Sequence, residues 1–459
     1  MIPDASPPPS KFFAYLAVVV GGLLLLGGLA AAIGYLGLPF TAFGEDMLSQ
    51  QLGQVAGMFL GLICGALAVY HGLRSILNHP SQPLKLPPAY FFWLAFAVVL
   101  GLGNVLLNFH VSEAYLFPPV FLLGAALPTV SVVAWAARRL GPAITWRQGA
   151  LALVAGSTLS IVVALILESF LPYLAFLLVA PFRFIAGPFG DLFTSGNTDL
   201  LSRLLFSPLI IVFLVVTALE APVPEEFAKG LCLPLFGRQR ITTEPQAFMI
   251  GLACGAGFAI LENMLYEGVY AQYNGWTWGG VTLLRGLGAV LHPIGAGLVA
   301  LGWFHMPEGG PRKLFLAYLA AVGLHTLWNG GFAAFVYLTG LDYYGGFGPS
   351  LTLYGTAVEV LLVVFLTGLA LALWWLLHRL TLSLAREVKP ERFRAVVSRR
   401  ALAVGAFACA LVVVPIGAAL GSAWSQIQAV VVAGPPTFTP SPTLPPTPTP
   451  VPTTPTPPP

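Results

Sequence analysis

Long apolar runs separated by short polar breaks occupy most of this chain. The first, "FFAYLAVVVGGLLLLGGLAAAIGYLGL" from Phe12, carries no charged residue. It is long enough to cross a bilayer as a helix, which takes roughly 20 apolar residues. Further runs of similar length follow, and the pattern places spans at about 12–37, 53–76, 89–109, 115–137, 149–168, 204–222, 247–267, 281–304, 314–338, 351–378 and 401–422. Continuous apolar runs are helical, because barrel strands alternate lipid-facing and lumen-facing positions. The first run is too long for the core of a cleavable signal and lacks a clear cleavage site, so it reads as a retained span. The expectation is an all-α, polytopic bundle of about 11 spans.

Composition agrees with the pattern. Of 459 residues, 57% are hydrophobic and only 8% are charged, against roughly a quarter charged in soluble domains. The four cysteines lie far apart in apolar segments and read as small buried hydrophobes, with neither zinc-knuckle nor disulfide spacing. No nucleic-acid partner is expected; the lipid bilayer is the solvent.

The distribution of charge adds an orientation. With the N-terminus on the cytoplasmic side, the inner flanks hold 17 of the 21 basic residues, including the run "RLTLSLAREVKPERFRAVVSRR" at 379–400. The outer loops carry Glu45, Asp46, Glu113, Asp191, Asp199 and Asp342 instead. Positive charge accumulates on cytoplasmic flanks, so a cytoplasmic N-terminus and an extracytoplasmic C-terminal tail follow. The stretch 170–193 is apolar but broken by Pro172, Pro181, Gly187 and Pro188. It reads as a re-entrant or interfacial segment, or as an extension of the fifth helix. The end, 434–459, is almost entirely Pro, Thr and Ser and reads as a disordered, extended spacer.

Ionisable groups at membrane depth are costly and mark function by default. Here they concentrate in four successive segments. "EAPVPEEFAKG" supplies Glu225, Glu226 and Lys229; "GAGFAILENMLY" supplies Glu262, Asn263 and Tyr266; "RGLGAVLHPIGAG" supplies Arg285 and His292; "GLHTLWNGG" supplies His325 and Asn329. Both Glu225 and Glu226 fall within one helical turn of Lys229, while Phe258, Glu262 and Tyr266 share one stripe. Pro222 and Pro224 break the sixth helix just before the glutamates. Arg285 reads as the partner of an acidic neighbour. A lone Glu–Lys pair or a lone membrane histidine is ordinarily structural, and Glu359 and the five other histidines keep that reading. Two chemistries suit the combined set: carboxylate-activated water with imidazole and amide partners, or a zinc ion held by Glu and His ligands.

These segments resemble the PrsW family of intramembrane proteases, within the superfamily of CAAX prenyl endopeptidases and bacteriocin-immunity proteins. Glu225, Glu226 and Lys229 match its E-E-x-x-K motif. Phe258, Glu262, Asn263 and Tyr266 match F-x-x-x-E-N-x-x-Y, and His292 and then His325 with Asn329 match the later motifs. The resemblance covers about 215–335.

It implies an intramembrane endopeptidase acting on a single-span or membrane-associated protein, with an anti-sigma-like factor as one expected substrate. Glu225 or Glu226 is then the base on water, oriented by Lys229. His292 and His325 serve as acid or oxyanion partners, Asn329 as oxyanion donor, and Glu262 as a further polar residue. If zinc is the cofactor, Glu226, Glu262, His292 and His325 are its expected ligands. The domains follow: N-terminal helices over 1–200, a catalytic core over 201–340, C-terminal helices over 341–433 with the basic loop, and the tail. The rival reading is a transporter or non-catalytic scaffold using the same carboxylates for ions or protons.

Overall fold

A computed structural model describes residues 11–41, 46–109, 113–179, 209–236, 241–272, 274–345 and 349–388. Among these residues the chain is helical, and its one β pairing is an isolated bridge between Pro83 and Thr145. The helices are α1 (Lys11–Thr41), α2 (Asp46–Met58), α3 (Gly65–Ile76), α4 (Ala89–Asn108), α5 (Glu113–Leu140), α6 (Trp146–Ala155), α7 (Ile161–Val179), α8 (Leu209–Glu220) and α9 (Pro222–Gly230). There follow α10 (Cys232–Phe236), α11 (Glu244–Ala271), α12 (Gly275–Leu287), α13 (Leu291–Gly309), α14 (Pro311–Gly345) and α15 (Pro349–Val388). Wider π-helical turns at Phe59–Cys64 and Gly156–Ser160 join α2 to α3 and α6 to α7.

Among the described residues, eight helical segments are long and apolar enough to cross a membrane: Lys11–Gly37, Gln50–Ile76, Ala89–Asn108, Leu116–Leu140, Trp146–Phe170, Glu244–Ala271, Gly275–Pro307 and Val360–Arg386. Each coincides with one of the expected spans. The expected spans 204–222 and 314–338 fall on α8 and α14, which are helical but not among these eight. The expected span 401–422, the basic loop beyond 388 and the Pro/Thr tail lie outside the described residues. The fifth span continues as helix to Val179, and 180–193 is again outside them. The chain is a multi-pass membrane protein.

Burial shows which helix is central. The apolar window of α11 is 89% buried inside the bundle, whereas that of α1 is 11% buried and presents its side chains to lipid. Helix α11 packs on α13, α5, α6 and α12. Lipid is as apolar as leucine, so contact between membrane helices depends on close approach rather than on exclusion from water. The "GLACGAGFA" stretch of α11 permits that approach. A side chain at Gly255 would run into the His292 carbonyl of α13, and one at Gly257 into the Leu153 carbonyl of α6. Around these contacts Phe248, Ile250 and Leu252 of α11, Val132 of α5, Ile294 of α13 and Leu377 of α15 join the largest core. A sharp turn then carries the chain from α13 into α14. Gly310 adopts φ +67°, open to glycine at little cost, and Pro311 starts the next helix.

Candidate active site

The site begins with a broken helix. Helix α8 stops at Glu220 and α9 starts at Pro222, because Pro222 and Pro224 have no N–H to donate to the preceding turn. The Glu225 N–H still reaches the Ala221 carbonyl at 3.1 Å, and the Tyr318 hydroxyl of α14 donates to the Val223 carbonyl at 2.8 Å. The break re-aims α9 into the bundle, so Glu225, Glu226, Ala228 and Lys229 are all buried.

Within α9 the lysine bridges both glutamates. Lys229 Nζ donates to Glu226 Oε1 at 2.7 Å and to Glu225 Oε2 at 3.2 Å. It also lies 2.8 Å from His292 Nδ1 and 4.1 Å from the centre of the Phe258 ring. The lysine side chain has no solvent exposure.

Helices α13 and α14 supply the imidazoles. His325 Nδ1 meets Glu226 Oε1 at 3.0 Å and lies 3.8 Å from Glu225 Oε2. A carboxylate can only accept, so Nδ1 carries the proton of a neutral ring and Nε2 becomes its acceptor. His292 has the reverse arrangement. Its Nδ1 accepts from the Lys229 ammonium, and its Nε2 lies 2.7 Å from Glu262 Oε2 of α11, an ion-pair distance. The two rings stand 4.8 Å apart, edge to face.

A second layer fixes Glu262. Arg285 of α12 places Nη2 3.0 Å from Glu262 Oε1 and donates from Nε to Asn263 Oδ1 at 2.6 Å. Asn263 passes the constraint on, donating to the Ala125 carbonyl of α5 at 3.2 Å. Tyr266 is half-exposed, with the Arg285 guanidinium 4.4 Å from its ring centre. Arg285 therefore pairs with an acidic neighbour, as its sequence context suggests. Asn329, one turn after His325, is half-buried and makes no hydrogen bond to the cluster.

Six of the seven residues singled out for catalysis thus form one connected network drawn from α9, α11, α13 and α14, with Asn329 beside it. Two carboxylates outside the motifs join or border the area. Glu168 of α7 lies close enough to interact with Glu225 and Glu262. Glu267 is buried one turn beyond Glu262, beside Thr282 and Trp278. Glu168 sits at the end of its apolar run, where a lone acid reads as interfacial. Glu267 follows a tyrosine in an otherwise unremarkable helix end. Neither position carries a spacing signal.

One group has the composition of a metal site. Ligand atoms of Glu225, Glu226, His292 and His325 lie within 4.8 Å of one another, and all four residues are buried. This set has Glu225 where the sequence suggested Glu262, whose Oε2 lies 2.7 Å from His292 Nε2. Two carboxylates and two imidazoles suit zinc in kind, and Glu226 Oε2 is buried without a hydrogen-bond partner. The donors fit such an ion, with one competitor: the Lys229 ammonium already contacts three of these four residues.

Buried carboxylates and imidazoles at the centre of a bundle of membrane-crossing helices define a class, the polytopic membrane proteins with a hydrolase-like polar site. The family model described as PrsW family intramembrane metalloprotease matches residues 144–367, from just before α6 into α15, and includes every residue of the network. Over this stretch, just under half of the chain, the sequence is similar to a PrsW-type intramembrane peptidase domain. No curated protein and no solved structure matches the chain significantly.

Proposed function

We propose that the protein hydrolyses peptide bonds of membrane-anchored protein substrates, with Glu225 as the general base on water. The observation that carries this choice is the unequal engagement of the two glutamates. Glu226 Oε1 is held by both Lys229 and His325, and its Oε2 is buried beside Gly295. Glu225 makes one longer contact to Lys229, so a carboxylate oxygen remains to take a proton. In this scheme Lys229 balances the charge of the pair and holds both carboxylates in register. Glu226 anchors His325, whose Nε2 can pass a proton to the leaving amine after receiving it from the base. Glu262 and Arg285 hold His292 in its tautomer, and Asn329, one turn from His325, serves as the oxyanion donor.

If the family's metal is present in this chain, Glu225, Glu226, His292 and His325 would hold it. Such an ion lowers the pKa of its bound water and polarises a carbonyl. The preferred substrate is a single-span or membrane-adjacent protein, with regulated cleavage of an anti-sigma-like factor as the reading the family supplies. The distribution of basic residues supports a cytoplasmic N-terminus.

The test is cleavage of a panel of single-span substrates by purified protein in liposomes. Wild type is compared with Glu225→Gln, Glu226→Gln and His325→Ala, each checked for folding. Cleavage lost in all three supports the assignment; cleavage retained in all three sinks it.

A further inference from the structure

Away from the peptidase network, the N-terminal end of α6 and the C-terminal end of α3 enclose a cavity of about 280 Å³. Its lining is cationic and aromatic: Tyr70, His71 and Arg74 from α3, Ser81 from the following loop, and Trp146 and Arg147 from α6. No carboxylate lines it, and among the described residues neither arginine forms an ion pair with one. The segments 74–88 and 138–148 contain no Asp or Glu at all.

Arg147 is the unusual member. It is 6% exposed, yet its Nε is buried without a hydrogen-bond partner. Its Nη2 donates to the His79 carbonyl at 2.5 Å, and its backbone N–H to Ser81 Oγ at 3.1 Å. Arg74 is held beside the same cavity by Nη1 donating to the Tyr70 hydroxyl at 2.9 Å and Nη2 to the Pro80 carbonyl at 3.3 Å. The two guanidinium groups are near enough to repel each other. A buried, unpaired cation facing a second cation is costly unless an anion joins them. Helix α6 begins beside this cavity, so the positive end of its dipole adds to the field there, although its first N–H groups are already bonded to Gln82, Ser81 and Thr145.

We propose that this cavity binds a phosphate group. Arginine forks match phosphate oxygens in a bidentate manner, and the Ser81 and Tyr70 hydroxyls complete a polar lining. The aromatic rim, with Trp146 41% and Tyr70 52% exposed, has the character of side chains at a membrane–water boundary. A phosphate at that level is carried by the headgroup of an anionic phospholipid or by a soluble phosphate.

The experiment reconstitutes the full chain in nanodiscs of phosphatidylcholine alone or mixed with phosphatidylglycerol. Retained lipid is read by native mass spectrometry, and unfolding temperature is read with and without inorganic phosphate at matched ionic strength. The variants are Arg147→Gln and Arg74→Gln, with Arg138→Gln, exposed and outside the cavity, as control. The expected result is a preference of about tenfold for phosphatidylglycerol in wild type and Arg138→Gln, lost in the two cavity variants. A rise in unfolding temperature with inorganic phosphate in phosphatidylcholine discs, lost in the same variants, upholds the site and assigns it a soluble ligand. Equal retention of both lipids with no phosphate response overturns the proposal, as does a preference or response that survives in the cavity variants. Arg74→Gln, at the less buried arginine, decides the matter if Arg147→Gln fails to fold.

Discussion

Lys229 Nζ sits 2.7 Å from Glu226 Oε1, with neither side chain more than 1% exposed. The same ammonium touches Glu225 and His292, so one cation connects three potential ligands or catalysts. Removing one partner of a buried ion pair leaves an uncompensated charge, which typically costs 3–5 kcal/mol. Lys229→Met should therefore lower stability by about 3 kcal/mol. Adding Glu225→Gln and Glu226→Gln to that variant should restore much of the loss while leaving the protein inactive. Unfolding followed in detergent measures the first effect and substrate cleavage the second. An additive triple variant, with no recovery of stability, would contradict the charge-balance reading.

The two glutamates should differ in what they do when neutralised. Glu225→Gln removes the proposed base and should reduce turnover by about 10²–10⁴-fold with little change in substrate binding. Glu226→Gln removes the negative charge shared by Lys229 and His325, so it should also shift the unfolding temperature. A turnover assay paired with thermal unfolding separates the two. A stable, fully active Glu225→Gln enzyme would reassign the base.

Metal and lysine compete for the same donors. Exposure to a strong chelator should abolish cleavage and added zinc should restore it, if the family's metal chemistry operates here. Independently of activity, Lys229→Met should retain more zinc than wild type after identical dialysis, and His325→Ala less, as read by elemental analysis. Equal zinc in all three proteins would remove these residues from a metal role.

In the proposed scheme Glu262 acts through His292 rather than on substrate. Glu262→Gln keeps the shape but weakens the hold on the His292 Nε2–H, and should reduce turnover by about 10–100-fold, in the range found for outer-shell partners of ligating histidines. NMR of labelled histidine should show a changed His292 tautomer signal in this variant. An unchanged signal would mean that the 2.7 Å contact does not position the ring.

The glycines of α11 carry a geometric prediction. A side chain at Gly255 meets the backbone of His292 itself. Gly255→Val should cost about 2 kcal/mol through overpacking, and it should also displace His292 from Lys229. A displacement near 1 Å at a catalytic group can cost about 10²-fold in rate. Gly323→Ala, where a side chain meets open space, is the matched control and should leave both stability and turnover unchanged.

The chain by itself determined the class and most of the site. Apolar runs near the bilayer thickness must be helices, because lipid offers no partner for a free backbone group. Eight such segments stand where the pattern put them. The pairing of Lys229 with Glu225 and Glu226 was equally legible, since a contact three or four residues along a helix is set by its 3.6-residue repeat. The motifs of the four polar segments marked the remaining members as one group.

Only the tertiary structure decided who touches whom across helices. His325 reaches Glu226 across 99 positions of sequence and His292 reaches Glu262 from another helix, through contacts made by small residues packing backbone on backbone. That packing gathered ligand atoms of Glu225, Glu226, His292 and His325 within 4.8 Å of one another. It also brought Glu168 of α7 near the cluster and left Arg147 buried without an anion. Periodicity assigns a residue to a face of its own helix; the neighbour across the gap depends on how closely two backbones approach.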